Sequence, residues 1–254
     1  RQWFDSLLPI MILIAGGWLI VQVAGVDVAG AVQAVFMPLQ SALTSPVGFV
    51  FFCFLKCFIY SMGISTWVLT PVDEPVKLAV ITANLELVAA GIATYQNLGV
   101  FTETFMFCTY LWIGGVGCTL SLCLLMMFTC KSSELKALGR ACVVPGIFNI
   151  NEPVIFGAIA WNPLLMLPMW LQGIILPIVT YIFTKVIPFA PIPRIQFDLW
   201  YCPYPISTFI ATQGSITGVI FAILTFVLSA VIWFPFVKAY DDQKVKEETA
   251  AIKA

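Results

Sequence analysis

Charged residues are so widely spaced along this chain that long stretches carry none: Ser6 to Val26, Val28 to Leu55, Thr104 to Cys130, Pro153 to Thr184 and Leu199 to Val237. Each run reaches the roughly 20 residues a helix needs to cross about 30 Å of hydrocarbon. The pattern therefore predicts an all-α integral membrane protein with about five transmembrane helices. The expected spans are Leu7 to Gly25, Val47 to Ser61, Phe105 to Thr129, Leu164 to Thr184 and Ile216 to Phe236. Between them, Pro, Gly, Asn, Ser and Thr interrupt apolar sequence at YSMGISTWVLTP, PGIFNINEPVIFG and DLWYCPYPISTFIATQGS. Irregular backbone survives at membrane depth only where protein or a water-filled cavity surrounds it, so these stretches predict unwound segments and re-entrant hairpins.

Composition sharpens this picture. Of 254 residues, 61% are hydrophobic and 10% charged, with a mean hydropathy of +0.99, far from a soluble domain. A net charge of −1 offers no polybasic surface, and no nucleic acid partner is expected. Eight cysteines lie mostly in apolar runs, without a CxxC pair and without any histidine. They read as free thiols, and neither a metal site nor a cofactor is expected. Arg1-Gln2-Trp3 makes a poor start for a signal peptide, and a chain beginning without methionine looks like a segment of a longer one.

Lys131, Lys136 and Arg140 in KSSELKALGR form the strongest positive cluster between spans. That loop should be cytoplasmic. Walking forward from it, PGIFNINEPVIFG dips in and returns, Trp161-Asn162-Pro163 closes it, and the last span brings the carboxyl terminus back to the cytoplasm. The expected organisation is a membrane domain over 1–240 and a cytoplasmic tail over 241–254. Residues 73 to 103 are the most polar interior part, a helix lying along the surface or lining a site.

Glu152 stands out chemically. A carboxylate in such a setting costs several kcal/mol unless it is paired, hydrogen-bonded or protonated. Flanked by Asn149 and Asn151, it can accept hydrogen bonds while the amides donate and accept, a set suited to a neutral, hydroxyl-rich solute. Tyr60, Trp67, Trp112, Trp200 and Tyr201 offer flat surfaces for sugar rings or belong to interfacial belts. Broken helices around one buried acid are how transporter sites are built.

The stretch KSSELKALGRACVVPGIFNINEPVIFGAIAWNP resembles enzyme IIC, the membrane subunit of bacterial phosphoenolpyruvate-dependent sugar phosphotransferase systems, of the lactose/cellobiose (chitobiose) family. LWIGGVGCTLSL, FMPLQSAL and YCPYPISTFIATQGSITGVI are similar to its glycine-rich helix, amphipathic turn and second hairpin. The likeness corresponds to the family's carboxyl-terminal, sugar-binding half. It implies a permease carrying a sugar, such as a β-disaccharide, inward across the bacterial cell membrane, with Glu152 bonding the sugar near the hydroxyl that accepts phosphate. Asn149 and Asn151 would shape the hairpin or meet other hydroxyls. The phosphoryl donor would lie on a partner IIB subunit, itself served by IIA, so no catalytic nucleophile is expected in this chain. A homodimer, or a partner chain supplying the amino-terminal scaffold, is also implied. Where the family has Gly-Ile-His-Gly, this chain reads Gly63, Ile64, Ser65, Thr66, making Gly63, Ser65 and Thr66 further substrate-binding candidates. A serine hydroxyl hydrogen-bonds a sugar but is no base near neutral pH. Likewise Gln213-Gly214-Ser215 stands where Gly-Asp is common. The alternatives are a non-phosphorylating sugar facilitator or membrane sugar sensor, and a packing subunit whose Glu152 caps a hairpin through backbone amides.

Overall fold

A computed structural model describes the backbone of residues 2–24, 38 and 40–253, and the side chains of residues 7–19, 38 and 40–251. The expectations for 25–37 and 39, part of FMPLQSAL among them, lie outside the described residues. Two units are distinguished, Arg1–Ala42 and Leu43–Ala254. The first carries α1, Gln2–Ala24, a helix with Pro9 inside it.

The second unit is helical wherever it is regular. Its long elements are α2 (Pro46–Ser61), α3 (Thr70–Ala89, entered through the 3-10 turn Thr66–Leu69), α5 (Thr119–Thr129), α6 (Ser133–Ile147), α8 (Pro163–Tyr181) and α10 (Ile216–Lys253). Short helices α4 (Glu103–Cys108), α7 (Glu152–Val154) and α9 (Ile206–Ala211) sit between them. This is the expected all-α architecture. Two helical stretches, Pro163–Val186 and Ile216–Ala251, are long and apolar enough to cross a membrane, and Leu7–Leu19, Pro46–Ser61 and Thr119–Thr129 are shorter apolar helices.

Helix α2 starts where Pro46 occupies the first turn, which needs no amide donor, and Ser45 accepts from the Gly48 amide at 3.0 Å. Its buried residues Phe49, Phe52, Cys53, Lys56, Cys57 and Tyr60 recur every three or four positions, so one stripe faces inward. That stripe packs along α8, with α10 on another side of α8 and α5 beside α6. Small residues allow the approach: a Cβ on Gly173 would stand 2.9 Å from the Phe54 backbone. Polar side chains also cross between helices, Gln172 donating to the Ser229 carbonyl at 3.0 Å and Ser229 sharing a 2.8 Å bond with Ser121.

Two expectations need correction. The span foreseen over Phe105 to Thr129 is broken: α4 ends at Cys108, an irregular loop follows, and α5 starts only at Thr119. Gly114, Gly115, Gly117 and even Cys118 take positive φ there, a left-handed conformation that an α-helix cannot continue through. Hydropathy misses this because the loop is as apolar as a helix. The KSSELKALGR loop is instead the first half of α6, started by Ser132, whose hydroxyl accepts from the Leu135 amide at 3.2 Å. Helix α10 itself runs through residue 240 and on to Lys253.

At 38 residues, α10 is about 57 Å long, roughly twice the thickness of a bilayer's hydrocarbon, and its charges gather in the last turns. Those turns meet the start of α6. Asp241, 5% exposed, accepts from the Lys131 and Ser132 amides at 2.8–2.9 Å, and Glu248 accepts from the Ser132 hydroxyl at 2.6 Å and the Glu134 amide at 3.1 Å. Carboxylates belong at a helix amino terminus, where unpaired amides and the helix dipole carry positive charge. The Ser132 hydroxyl and these amides hold the Glu248 carboxyl well down, at about 2.

Candidate functional site

Helix α6 carries the chain into the hairpin and stops at Phe148. The turn is closed by Phe148, Asn149 and Ile150 amides donating to the Pro145 and Gly146 carbonyls at 2.9–3.0 Å, with Asn149 at φ +61°. Asparagine tolerates that conformation better than most residues. Pro153 sits in the first turn of α7, where its missing amide hydrogen costs nothing. A π-helical turn, Ile155–Ile159, carries the chain back to Trp161, whose amide donates to the Ser61 carbonyl at 3.1 Å. Asn162 then caps α8 through its side chain on the Leu164 amide.

Both asparagines of NINEP are committed to the protein. Asn149 accepts from the Gly114 amide at 2.7 Å and donates to the Trp200 carbonyl. Asn151 donates to the Val116 carbonyl at 2.9 Å and accepts from the Tyr60 hydroxyl at 3.2 Å. They clamp the hairpin tip to the glycine-rich loop, supplying partners for backbone groups that no helix satisfies. Gly115 must be glycine on two counts: its φ is +96°, and a Cβ would lie 2.4 Å from Asn151 Cγ.

Beside this clamp opens a cleft of about 690 Å³, including its mouth, into which Glu152, Asn149, Asn151 and Gly115 face together with residues of α2, α3 and α4. Its aromatic walls are Tyr60, Trp67, Phe107 and Trp200. Glu152 is exposed and lines the cleft with Tyr60, whose hydroxyl is held by Asn151. Opposite lies a charge network that the sequence did not reveal. Asp73, fully buried, is 2.8 Å from Lys56 Nζ and 3.5 Å from Lys77 Nζ, while Lys77 also meets Glu74 at 2.7 Å and Glu103 at 2.5 Å. The spacing of four between Asp73 and Lys77 on one helix was a local clue. Nothing local connects Lys56 or Glu103 to them. Chemically, the cleft offers carboxylate acceptors, hydroxyls of Thr66 and Thr70, and flat rings, groups that can meet a hydroxyl-rich solute.

The family model for Phosphotransferase system, EIIC matches residues 2–173, which include the hairpin and most of the cleft. The chain belongs to the EIIC family. Among its relatives, a lactose-specific EIICB component of the phosphotransferase system from Lactococcus lactis subsp. lactis is 33% identical over 97% of this chain and 44% of its own length. A cellobiose-specific EIIC component from Geobacillus stearothermophilus is 40% identical over 59% of this chain and 33% of its own. The crystal structure of the transporter ChbC, the IIC component from the N,N'-diacetylchitobiose-specific system, superposes with a TM-score of 0.79 at 32% identity, over 96% of this chain and 57% of that one. The chain thus spans about half the length of the relatives it matches. EIIC proteins are membrane permeases, and this is a membrane protein with the family's all-α fold. The relatives do not favour the facilitator or sensor alternative.

Within this EIIC chain, the structure brings four of the six expected site residues to the cleft: Glu152, Asn149, Asn151 and Thr66. Ser65 and Gly63 are placed outside it. Ser65 is exposed and uses its hydroxyl to cap the 3-10 turn, accepting from the Trp67 amide at 3.4 Å. Gly63, at φ +77°, turns the chain past Trp161. Of the aromatic candidates, Tyr60, Trp67 and Trp200 line the cleft, Trp112 is fully buried, and Tyr201 packs edge-on against Trp200 at 5.5 Å. The polar 73–103 region supplies Glu74, Lys77 and Glu103 to the lining. Farther along α3, Asn84 instead ties the helix to Gly99, bonding both its amide and its carbonyl.

Proposed function

We propose that this chain is the sugar-binding part of a phosphotransferase-system permease, taking up a β-linked oligosaccharide and presenting it to a IIB subunit for phosphorylation. One observation carries the reading: Glu152, at the tip of a re-entrant hairpin, faces a cleft walled by Tyr60, Trp67 and Trp200. Because Asn149 and Asn151 are engaged by backbone, Glu152 is the hairpin's main free acceptor for a sugar hydroxyl, and the asparagines act by holding it in place. Trp67 and Trp200 give the apolar face of a sugar ring its contact surface.

The phosphoryl donor resides on IIB, recharged through IIA, and no residue of this chain forms a covalent intermediate. The protein sits as a multi-pass protein in the bacterial cell membrane, with the α6 start and the α10 end on the cytoplasmic side, where Lys131, Lys136 and Arg140 gather. The working unit is a homodimer, or this chain together with a partner chain that supplies an amino-terminal scaffold.

Calorimetry or thermal shift of the purified protein against lactose, cellobiose and diacetylchitobiose tests the proposal. Binding of at least one of these is expected, weakened by about 1 to 3 kcal/mol in Glu152→Gln, which removes a charged acceptor while keeping its shape. Unchanged affinity in that variant would sink the assignment of Glu152 to the sugar.

A further inference from the structure

Among the described residues, the charges around the cleft do not balance. Lys56 and Lys77 face Asp73, Glu74, Glu103 and Glu152, two positive groups against four negative ones. Both cations are held: Lys56 is 2.8 Å from Asp73 and 4% exposed, and Lys77, 6% exposed, lies within 2.5–2.7 Å of Glu103 and Glu74. Any anion entering would have to break these pairs or sit beside surplus carboxylate.

We propose that Glu74, Glu103 and Glu152 make the cleft select a neutral sugar and reject the same sugar once it carries phosphate. This rests on the reading of the cleft as the sugar site. A phosphate monoester carries about −1.5 to −2 charge near neutral pH, so the one chemical change that the partner subunit introduces converts a ligand into a repelled one. Low-dielectric walls strengthen that repulsion relative to water. The phosphorylated product leaves without a competing cation to hold it, and cytoplasmic sugar phosphate does not block the site. A phosphate-binding site would show the reverse arrangement, with a free lysine or arginine turned into the cavity.

The test measures binding of cellobiose, its 6-phosphate and its 6-O-methyl ether to the purified full chain in detergent. The phosphate should bind at least about tenfold more weakly than the methyl ether. Raising salt from about 20 mM to about 500 mM should narrow that gap by screening. Glu74→Gln should narrow it about threefold by tightening the phosphate, because Lys77 keeps Glu103 and Asp73 as partners. Equal or tighter binding of the phosphate overturns the inference while leaving the sugar-site reading intact. So does a methyl ether as weak as the phosphate, since crowding would then explain the rejection. If none of the three binds, and no other neutral disaccharide does, the sugar-site reading fails and the inference falls with it.

Discussion

Asp73→Asn is the most informative single substitution in this fold. The Asp73 carboxylate is fully buried, and Lys56, 4% exposed, stands 2.8 Å from it. At that separation the Coulomb attraction is about 6 kcal/mol for an effective dielectric near 20. The loss falls short of that figure because desolvation of the two charges already offsets part of the attraction, and breaking a buried pair by removing one partner characteristically costs about 3 to 5 kcal/mol. Lys77 suffers less, since it retains Glu74 and Glu103. Reversible unfolding in mixed micelles is the assay, run on Asp73→Asn, Lys56→Met and the double variant. The single carboxylate loss should destabilise by about 3 to 5 kcal/mol, and adding Lys56→Met should recover most of it, because the buried cation is gone. A loss below about 1 kcal/mol, or a double variant no better than the single, would refute the pairing argument.

Gly115→Ala should destabilise by about 2 to 4 kcal/mol, since it adds a clash 2.4 Å from Asn151 Cγ to a strained φ of +96°; near-wild-type unfolding would mean that the loop can shift freely. Ser65→Ala should leave sugar affinity within about twofold, because its hydroxyl caps a turn outside the cleft, and a much larger loss in calorimetry would show that Ser65 reaches the ligand. Acid should loosen the α10 tail: the Glu248 carboxyl is lowered from 4.5 to about 2 by the Ser132 hydroxyl and the α6 amides. With the folded value below the ordinary one, its contribution is complete above about pH 4.5 and fades as pH falls toward 2. Amide exchange at Ser133 and Glu134, corrected for intrinsic rate, should therefore show protection at pH 6 that declines by pH 3. Constant protection would show that Glu248 does not hold this junction.

Hydropathy read along the chain was enough for the class of the fold, because crossing a bilayer needs only a local run of apolar residues with backbone bonds closed within the helix. The irregular hairpin around Glu152 was legible as a candidate for a related reason. A carboxylate among turn-forming residues in apolar surroundings is a local contradiction, and contradictions of that kind mark sites. The same local sum failed at Phe105 to Thr129, where the unbroken apolar run hides a loop with left-handed backbone at Gly114 to Cys118. Only packing shows why that loop is stable: Asn149 and Asn151 reach back across 35 positions to satisfy its backbone. The network of Lys56, Asp73, Lys77 and Glu103 was out of reach for the same cause. Each charge by itself reads as a residue that could snorkel or pair anywhere, and the partner is chosen by which helix faces lie side by side. Sequence alone thus determined the solvent and the secondary structure class, and it pointed to Glu152, which the structure leaves exposed rather than buried, while the fully buried carboxylate is Asp73. Tertiary structure decided which polar groups hold the backbone and which remain free for a ligand, because that division depends on distances between segments that have no local signature.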